Sequence, residues 1–451
     1  HNFIYPLPLI LAMGIEFIPV GGYSEVGRNM AALKVDDEVI ILDMGLYMPK
    51  IVDFEEEGND RKTSSRDQLI SFDAIPNDKV LDSYRDKVKG IVISHCHLDH
   101  IGATPFLASR YNAPVIGTPY TIELLRSIMR DDNHQLPNQL KSVNPNSSIQ
   151  VTKNIKVELI NMTHSTLQTA LIAVHTKYGI VLYANDFKFD NNPVLGKPYN
   201  LERLKELGKE GKVRATIIDT LYSGTPGKCP SENVAREMLK DVMLGIKNEG
   251  DAMIVTTFAS NLARIKSILD FSEKLGRHPV MLGRSIMRYV TAADNVKITD
   301  FTKRAEVIGY GQAIKKRLRK IEKDGKSDSL IICTGSQGEP NSVLSKITNN
   351  VFPFNFEKHD HIIFSCKTIP VEPNISNRKK LEDKLRRKNV RIFTDIHTSG
   401  HMYREDIHDF LNLVNPDMIF PAQSDHQKQL PLLDIASELG YKPGKDVRTV
   451  K

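Results

Sequence analysis

Ser94-His95-Cys96-His97-Leu98-Asp99-His100 is the densest run of ligand-type side chains in this sequence. Three imidazoles, one thiol and one carboxylate fall within the six positions 95–100. Packing does not explain the imidazoles and the carboxylate, because His and Asp seldom enter a core without a partner. The run directly follows Lys89–Ser94 (KGIVIS), which is too short and too uniformly apolar to be anything but a buried strand. Alternate side chains of an extended chain share a side, so His95 and His97 point together and Cys96 points away. Cys96 therefore reads as the small residue of a tight turn rather than as a ligand. Asp99 and His100 come next, where the loop must bend into a helix beginning near Ile101. One loop thus offers imidazoles to one metal ion, and a carboxylate plus an imidazole to a second. Nitrogen and oxygen donors of this kind suit zinc, with manganese as the second candidate.

The elements that must present this loop are short β-rich runs punctuated by glycine. Ile15–Val20, Met30–Val35 and Glu38–Asp43 (EVIILD) read as strands, and Thr121–Met129 as a helix. The charged stretch Tyr47–Arg85 has few apolar runs and reads as a surface excursion. Further along, Asn233–Ile246 and Leu262–Leu275 read as helices, and Asp251–Thr256, Val280–Leu282 and Ser329–Cys333 as strands. That alternation predicts a parallel α/β layer. The basic runs Lys315-Lys316-Arg317 with Arg319-Lys320, and Lys384 with Arg386-Arg387-Lys388, fall on predicted helices and read as solvated faces.

Composition narrows the class. A chain of 451 residues admits about three domains. With 40% hydrophobic and 26% charged residues it is neither a disordered tail, nor a collagen-like fibre, nor a multi-span membrane protein. The net charge of +6 permits an acidic partner without demanding one. Cys96, Cys229, Cys333 and Cys366 include no C-x-x-C pair and read as reduced thiols of a cytoplasmic protein. No stretch reaches the roughly 18 apolar residues of a membrane span. Residues 1–12 (HNFIYPLPLILA) lack a basic start and a small-residue cleavage site, and read as an appended leader before Met13.

The His-rich loop, with an acidic strand end before it and two ligand-type residues after it, resembles the metallo-β-lactamase superfamily. The resemblance implies an α/β fold of the αββα sandwich type. Asp43, closing EVIILD, would then support the site. His164 closes KVELINMTHS and Asp186 follows IVLYAN, so both fall at strand ends, where the family's ligands converge. The implied ligand set is His95, His97 and His164 for one divalent ion and Asp99 and His100 for the other, with Asp186 bridging both.

The segments around and after Asp186 resemble the β-CASP nucleases and, within them, the ribonuclease J family. They are GGYSEVGRN, NDFKFD, Asp219 closing ATIID, Pro230-Ser231-Glu232, VTTFASN, TGSQGEP and HTSGHMYRED. The resemblance covers Met13–Lys451 and is similar to the archaeal form, without the extra C-terminal domain of bacterial members. It implies a lactamase-type body from 13–220 and 376–451, with 221–375 as an inserted β-CASP α/β domain, so the domain count falls to two. The implied activity is 5′→3′ exoribonucleolytic, on single-stranded RNA with a 5′-monophosphate, with internal cleavage as a second activity. A homodimer and other RNA-decay proteins are the implied partners. Gly335, Ser336 and Gln337 lie in a glycine-rich strand-to-helix turn whose N–H groups would form a nest for phosphate. His397, Ser399 and Gly400 would complete that pocket, and His401 would touch the scissile phosphate. Asp99 would orient the attacking water or take its proton, and Asp219 would support the site.

One position departs from the family. Its final histidine, expected after Phe420-Pro421-Ala422, is replaced by Gln423, with His426 three residues on. RNA-directed branches carry that histidine and DNA-repair branches an apolar residue, so a DNA 5′-exonuclease is the nearest rival reading. A small-molecule metallohydrolase needs no inserted domain. A non-catalytic RNA-binding member would have lost its ligands, whereas all six main ones are present here.

Overall fold

The computed structural model describes residues 9–450 except 249 and 371. The chain forms two units, one from residues 9–191, 197–229 and 400–450, the other from 192–196 and 230–399.

The first unit opens with strands β1 (Leu9–Ala12), β2 (Ile15–Gly21), β3 (Met30–Val35), β4 (Glu38–Leu42), β5 (Val88–Val92), β6 (Val115–Gly117) and β7 (Leu140–Ser142). They form one sheet in that order, antiparallel as far as β4 and parallel from β4 to β7. β4 and β5 are almost wholly buried, as parallel strands covered on both faces must be. Residues 1–8 of the predicted leader lie outside the described residues. Its last four residues are β1, with Leu11 buried, so this end of the segment is part of the sheet.

β8 (Ser147–Gln150), β9 (Lys156–Asn161), β10 (Ala170–Thr176), β11 (Gly179–Ala184) and β12 (Val213–Asp219) begin a second sheet. The chain then builds the second unit from β13 (Met253–Thr256), β14 (His278–Leu282), β15 (Glu306–Ile308), β16 (Ser329–Cys333), β17 (His361–Phe364) and β18 (Arg391–Phe393). It returns as β19 (Met418–Ala422), which pairs in parallel with β12 and completes the order β19-β12-β11-β10-β9-β8.

Within the first unit the sheets meet through Phe17, Leu33, Ile40, Val157, Ile172, Ile217 and Phe420. Helices Leu201–Glu210, Arg404–Val414 and His426–Glu438 cover the outer face of the second sheet with Leu204, Phe410 and Leu432. The first of them starts where the Asn200 side chain accepts from the Arg203 N–H and stops at Gly211, whose φ of 61° is left-handed. The stretch Tyr47–Arg85 differs from its sequence reading. It forms helices Met48–Glu56 and Arg66–Ser71 and a 3₁₀ run Asp78–Lys87, which bury Phe54, Leu69 and Leu81. Short helices need only one apolar residue per turn, a pattern that the surrounding charges mask. Even Asp78 is buried, where Arg66, Arg110 and the Tyr111 hydroxyl satisfy it.

The second unit's sheet is all parallel, in the order β15-β14-β16-β13-β17-β18. Helices Gly311–Asp324, Val343–Thr348 and Asn374–Arg386 share a core with Ile254, Ile331 and Ile362 through Ile314, Leu318, Ile347 and Leu381. Lys316, Arg319, Lys320, Arg386 and Arg387 of the basic runs are exposed. The unit ends at Ser399 rather than near residue 375, because helix Asn374–Arg386 packs in its core and β18 completes its sheet.

Candidate metal centre

Parallel strands release their loops at one edge, and the site is built there. β4 and β5 pair Leu42 with Val92, so Asp43 and Ser94 emerge close together. The Asp43 carboxylate accepts from the Ser94 N–H at 2.7 Å and the Ser94 hydroxyl at 2.8 Å, and lies 2.7 Å from His100 Nδ1. In the second sheet Ala184 pairs with Ile218 and Asp219 with Ala422, which brings Asp186, Asp219 and Gln423 to a common edge. β9 runs in the same sense as β11 and delivers His164 to that edge. Asp43, Asp186 and Gln423 take φ of 59°, 59° and 57°. Left-handed backbone is uncommon outside glycine, and Asp tolerates it better than most residues.

His97 Nδ1 lies 3.2 Å from His95 Nε2 and 3.1 Å from His164 Nε2. A tetrahedral zinc site with arms of ~2.0–2.1 Å has edges of ~3.3 Å, so these spacings suit one small cation. Asp186 joins those three imidazoles, every donor atom lying within 4.8 Å of the others. It also groups with Asp99 and His100, and with Asp219 and His401, within the same limit. His100 Nε2 is 3.1 Å from Asp186 Oδ2 and 3.5 Å from Asp99 Oδ2.

The far ring nitrogens are tied, which fixes what the near ones offer. His100 Nδ1 donates to Asp43, and His164 Nδ1 donates to the Gly400 carbonyl at 2.7 Å. The Ser94 hydroxyl is 3.0 Å from His95 Nδ1. Burial holds His95 and His164 well below the usual imidazole range and lowers His97 to about 4. These three rings are therefore neutral, with lone pairs for a metal. His100 goes the other way: burial opposes its proton, but Asp186, Asp99 and Asp43 outweigh it and raise its pKa well above the usual range. The carboxylates that retain that proton would attract a divalent cation. Asp186 Oδ1 is buried without a hydrogen-bond partner, which leaves a lone pair for such an ion. The donor set fits divalent cations at both groups. Cys96 stands apart, its Sγ 2.9 Å from Thr166 Oγ1 and its thiol pushed by burial up to about 12.

His401 Nδ1 meets Asp219 Oδ2 at 2.6 Å. Burial opposes its charge, yet Asp219 and Asp186 raise its pKa to about 9, giving an imidazolium within 5.1 Å of the His164 ring by centroid. Two supports carried no ligand-type pattern in the sequence. One is Ser94, which grips Asp43; the other is Asn29, whose N–H and side-chain amide both donate to the Asp99 carbonyl, at 3.0 and 3.1 Å. Gly45 completes that contact, since a Cβ there would stand 1.6 Å from the Asp99 oxygen. Gly45→Ala is expected to displace Asp99 and to slow hydrolysis about 100-fold. Rates measured alongside thermal melts check this, and an unchanged rate would contradict it.

Gly335, Ser336, Gln337, His397 and Ser399 belong to the second unit, Gly400 and His401 to the first. Gly335 and Gly338 take φ of 129° and 76° in the turn after β16. The Gln337 side chain is engaged, donating to the Lys367 carbonyl at 3.1 Å and accepting from the Ile369 N–H at 2.8 Å. The Gln337 N–H donates to the Glu339 carboxyl group at 3.1 Å, so an internal acceptor already sits in the turn, and burial raises the Glu339 pKa. Ser336 is buried, and its carbonyl accepts from Arg378. His397 packs edge-on to Phe258, and Thr398 Oγ1 donates to Glu232.

An αββα sandwich with this ligand order, interrupted by a parallel α/β domain, defines a metallo-β-lactamase-type protein. Residues 27–218 match the family model for the metallo-beta-lactamase superfamily, and residues 250–380 that for the ribonuclease J beta-CASP domain. The chain is 44% identical to ribonuclease J of Methanocaldococcus jannaschii, over 97% of this chain and 98% of that protein. It is 37% identical to ribonuclease J of Pyrococcus abyssi, over 96% and 95%. Identity to ribonuclease J 2 of Staphylococcus aureus is 29%, over 96% of this chain and 72% of that one. This chain belongs to the ribonuclease J family. A crystal structure of a protein of unknown function from Enterococcus faecalis V583 shares the fold, with a TM-score of 0.65 at 16% identity over 97% of this chain and 98% of that one.

Proposed function

We propose that this protein is a metal-dependent ribonuclease that degrades single-stranded RNA 5′→3′ from a 5′-monophosphate end, with internal cleavage as a second mode. The observation that carries the reading is the convergence of His95, His97, His164, Asp99 and His100 on Asp186, in a chain of the ribonuclease J family. The two donor groups would hold two divalent ions, zinc by their chemistry and manganese as the alternative. Such ions, when bound, activate water near neutral pH and neutralise charge on phosphate oxygens.

The chain's own residues supply the rest. Asp99, 23% exposed at its side chain, orients the attacking water and takes its proton. The His401 imidazolium, aimed by Asp219, donates to a non-bridging oxygen of the scissile phosphate as charge builds there. The water oxygen bonds to phosphorus as the bond to the 3′-oxygen breaks, and the leaving oxygen takes up the proton that Asp99 drew from the water. The terminal nucleotide leaves with a 3′-hydroxyl, and the remaining RNA keeps a new 5′-monophosphate. The second unit's Gly335, Ser336, Gln337, His397 and Ser399 would take that group, and the end they take is chemically the same after every step. Phosphate bound there displaces Glu339 from the Gln337 N–H. A cytoplasmic location, a homodimer and contacts with other RNA-decay proteins complete the reading. The four cysteines are buried and none is in a disulfide, and no helix among the described residues is long and apolar enough to cross a membrane.

The test is the initial rate on one RNA sequence carrying a 5′-monophosphate, triphosphate or hydroxyl, beside DNA of the same sequence. The monophosphate is expected to react at least about tenfold faster, the worth of one charge-assisted contact. Equal rates on all three ends contradict the pocket, and faster cleavage of DNA favours the DNA 5′-exonuclease.

A further inference from the structure

Gln423 follows β19 with its side chain buried, and its carboxamide reaches into the ligand cluster. The two ends of that amide are not interchangeable. Oε1 lies 2.7 Å from the Gly27 nitrogen and 2.9 Å from Asn29 Nδ2. A backbone N–H only donates, so the Gln423 carbonyl oxygen must face Gly27. The NH₂ is thereby turned to the cluster, 2.8 Å from Asp99 Oδ2, 3.0 Å from Asp186 Oδ2 and 3.3 Å from His100 Nε2. An amide NH₂ has two donors and no lone pair to give a cation. Asn29 presents the same group, with Nδ2 3.2 Å from His100 Nε2, and its Oδ1 accepts from Asn185 at 3.0 Å. His426 offers no substitute: it is exposed at the start of helix His426–Glu438.

We propose that Gln423 makes the site of Asp99, His100 and Asp186 an exchangeable cation site, beside a tightly held ion on His95, His97, His164 and Asp186. The inference rests on the metal-centre reading above. The first group supplies four donors, whereas the second supplies three and closes its next corner with N–H groups. Those N–H groups compete with a cation for the lone pairs of Asp99 and Asp186. They also hold both carboxylates in position while the second ion is away, so the site is ordered before that ion arrives. Hydrolysis then follows the free cation concentration through the second site alone, and Gln423 is the positioning residue that sets the threshold.

Gln423→Glu is the informative variant, because it keeps the shape. One carboxylate oxygen can still accept from Gly27 and Asn29, and the other puts a lone pair where the NH₂ stood. Calorimetric titration of chelator-stripped protein with Mn²⁺ should find two affinities about 100-fold apart in the parent, and the weaker one about tenfold tighter in the variant. The melting temperature should reverse sign, falling below the parent's without metal, where a third carboxylate faces Asp99 and Asp186, and rising above it with metal. A merely structural residue would lower Tm in both states. Gln423→His, which brings an imidazole at the expense of the Gly27 bond, should tighten the same site. Parent affinities within about threefold of each other, or a weaker site that neither substitution tightens, would overturn the inference while leaving the metal centre standing. Stripped parent protein that binds no cation would overturn both.

Discussion

Asp186→Asn is expected to lower RNA hydrolysis by about 10³-fold or more, a loss of about 4 kcal/mol of transition-state stabilisation. Asp186 is the one residue common to all three donor groups. Its Oδ2 meets His100 Nε2 at 3.1 Å and lies 3.9 Å from His95 Nε2, while its Oδ1 is buried without a partner. An amide in its place removes a charge and sets an N–H donor where a lone pair is required. On the proposed reading both donor groups would lose a ligand at once, so bound metal should fall together with the rate. Initial rates on 5′-monophosphate RNA, with metal content measured on the same samples, check the result. A variant that keeps its fold and a rate within about tenfold of the parent would contradict a centre organised by Asp186.

Arg264→Met is expected to destabilise the second unit by about 3–5 kcal/mol, the usual loss when one partner of a buried ion pair is removed. Arg264 is fully buried on helix Leu262–Lys274 and spends its donors on three segments. Nε and Nη2 meet the Glu232 carboxylate at 2.6 and 3.0 Å, and Nη1 reaches the Ser365 and Ile396 carbonyls at 3.0 and 2.8 Å. Glu232 in turn accepts from Thr398, so the pair ties down the chain beside His397 and Ser399. Truncation takes the countercharge from a buried carboxylate and one hydrogen bond from each of two carbonyls, which keep the Thr398, Thr257 and Ser365 hydroxyls. Denaturant unfolding should therefore find Arg264→Met far less stable than the parent, and Arg264→Met with Glu232→Leu less damaged than the single change. A single variant within about 1 kcal/mol of the parent would contradict this role.

The strands were legible because their apolar runs are short and bounded by glycine or by polar turn residues such as Asp36-Asp37 and Asp328. Met30–Val35 and Ser329–Cys333 were read with the bounds they have in the structure. The His-rich loop was legible because donor-type side chains at that density have no core use. Asp43 and Asp186 could be placed as strand ends, but their left-handed backbone could not, since nothing local in EVIILD or LYAND demands it. The helices of 48–87 were hidden by their charge. Their apolar residues come in isolated pairs such as Ile51-Val52 and Leu69-Ile70, and Asp78 becomes a core residue only through Arg66 and Arg110, at distant positions. Asn29 and Ser94 escaped notice for a related reason: supporting hydrogen bonds are made across the fold and leave no spacing behind. Gln423 was visible as a departure, yet which end of its amide faces the ligands depends on the Gly27 N–H, 396 residues away.

The most direct test of the account is the product series from a 5′-monophosphorylated RNA labelled at its 3′ end, followed by mass spectrometry with zinc or manganese supplied. The account predicts mononucleotides from the first time points and labelled RNA that shortens one nucleotide at a time from the 5′ end, all of it lost on chelation. Shortening from the 3′ end, or the same products in the presence of chelator, would contradict it.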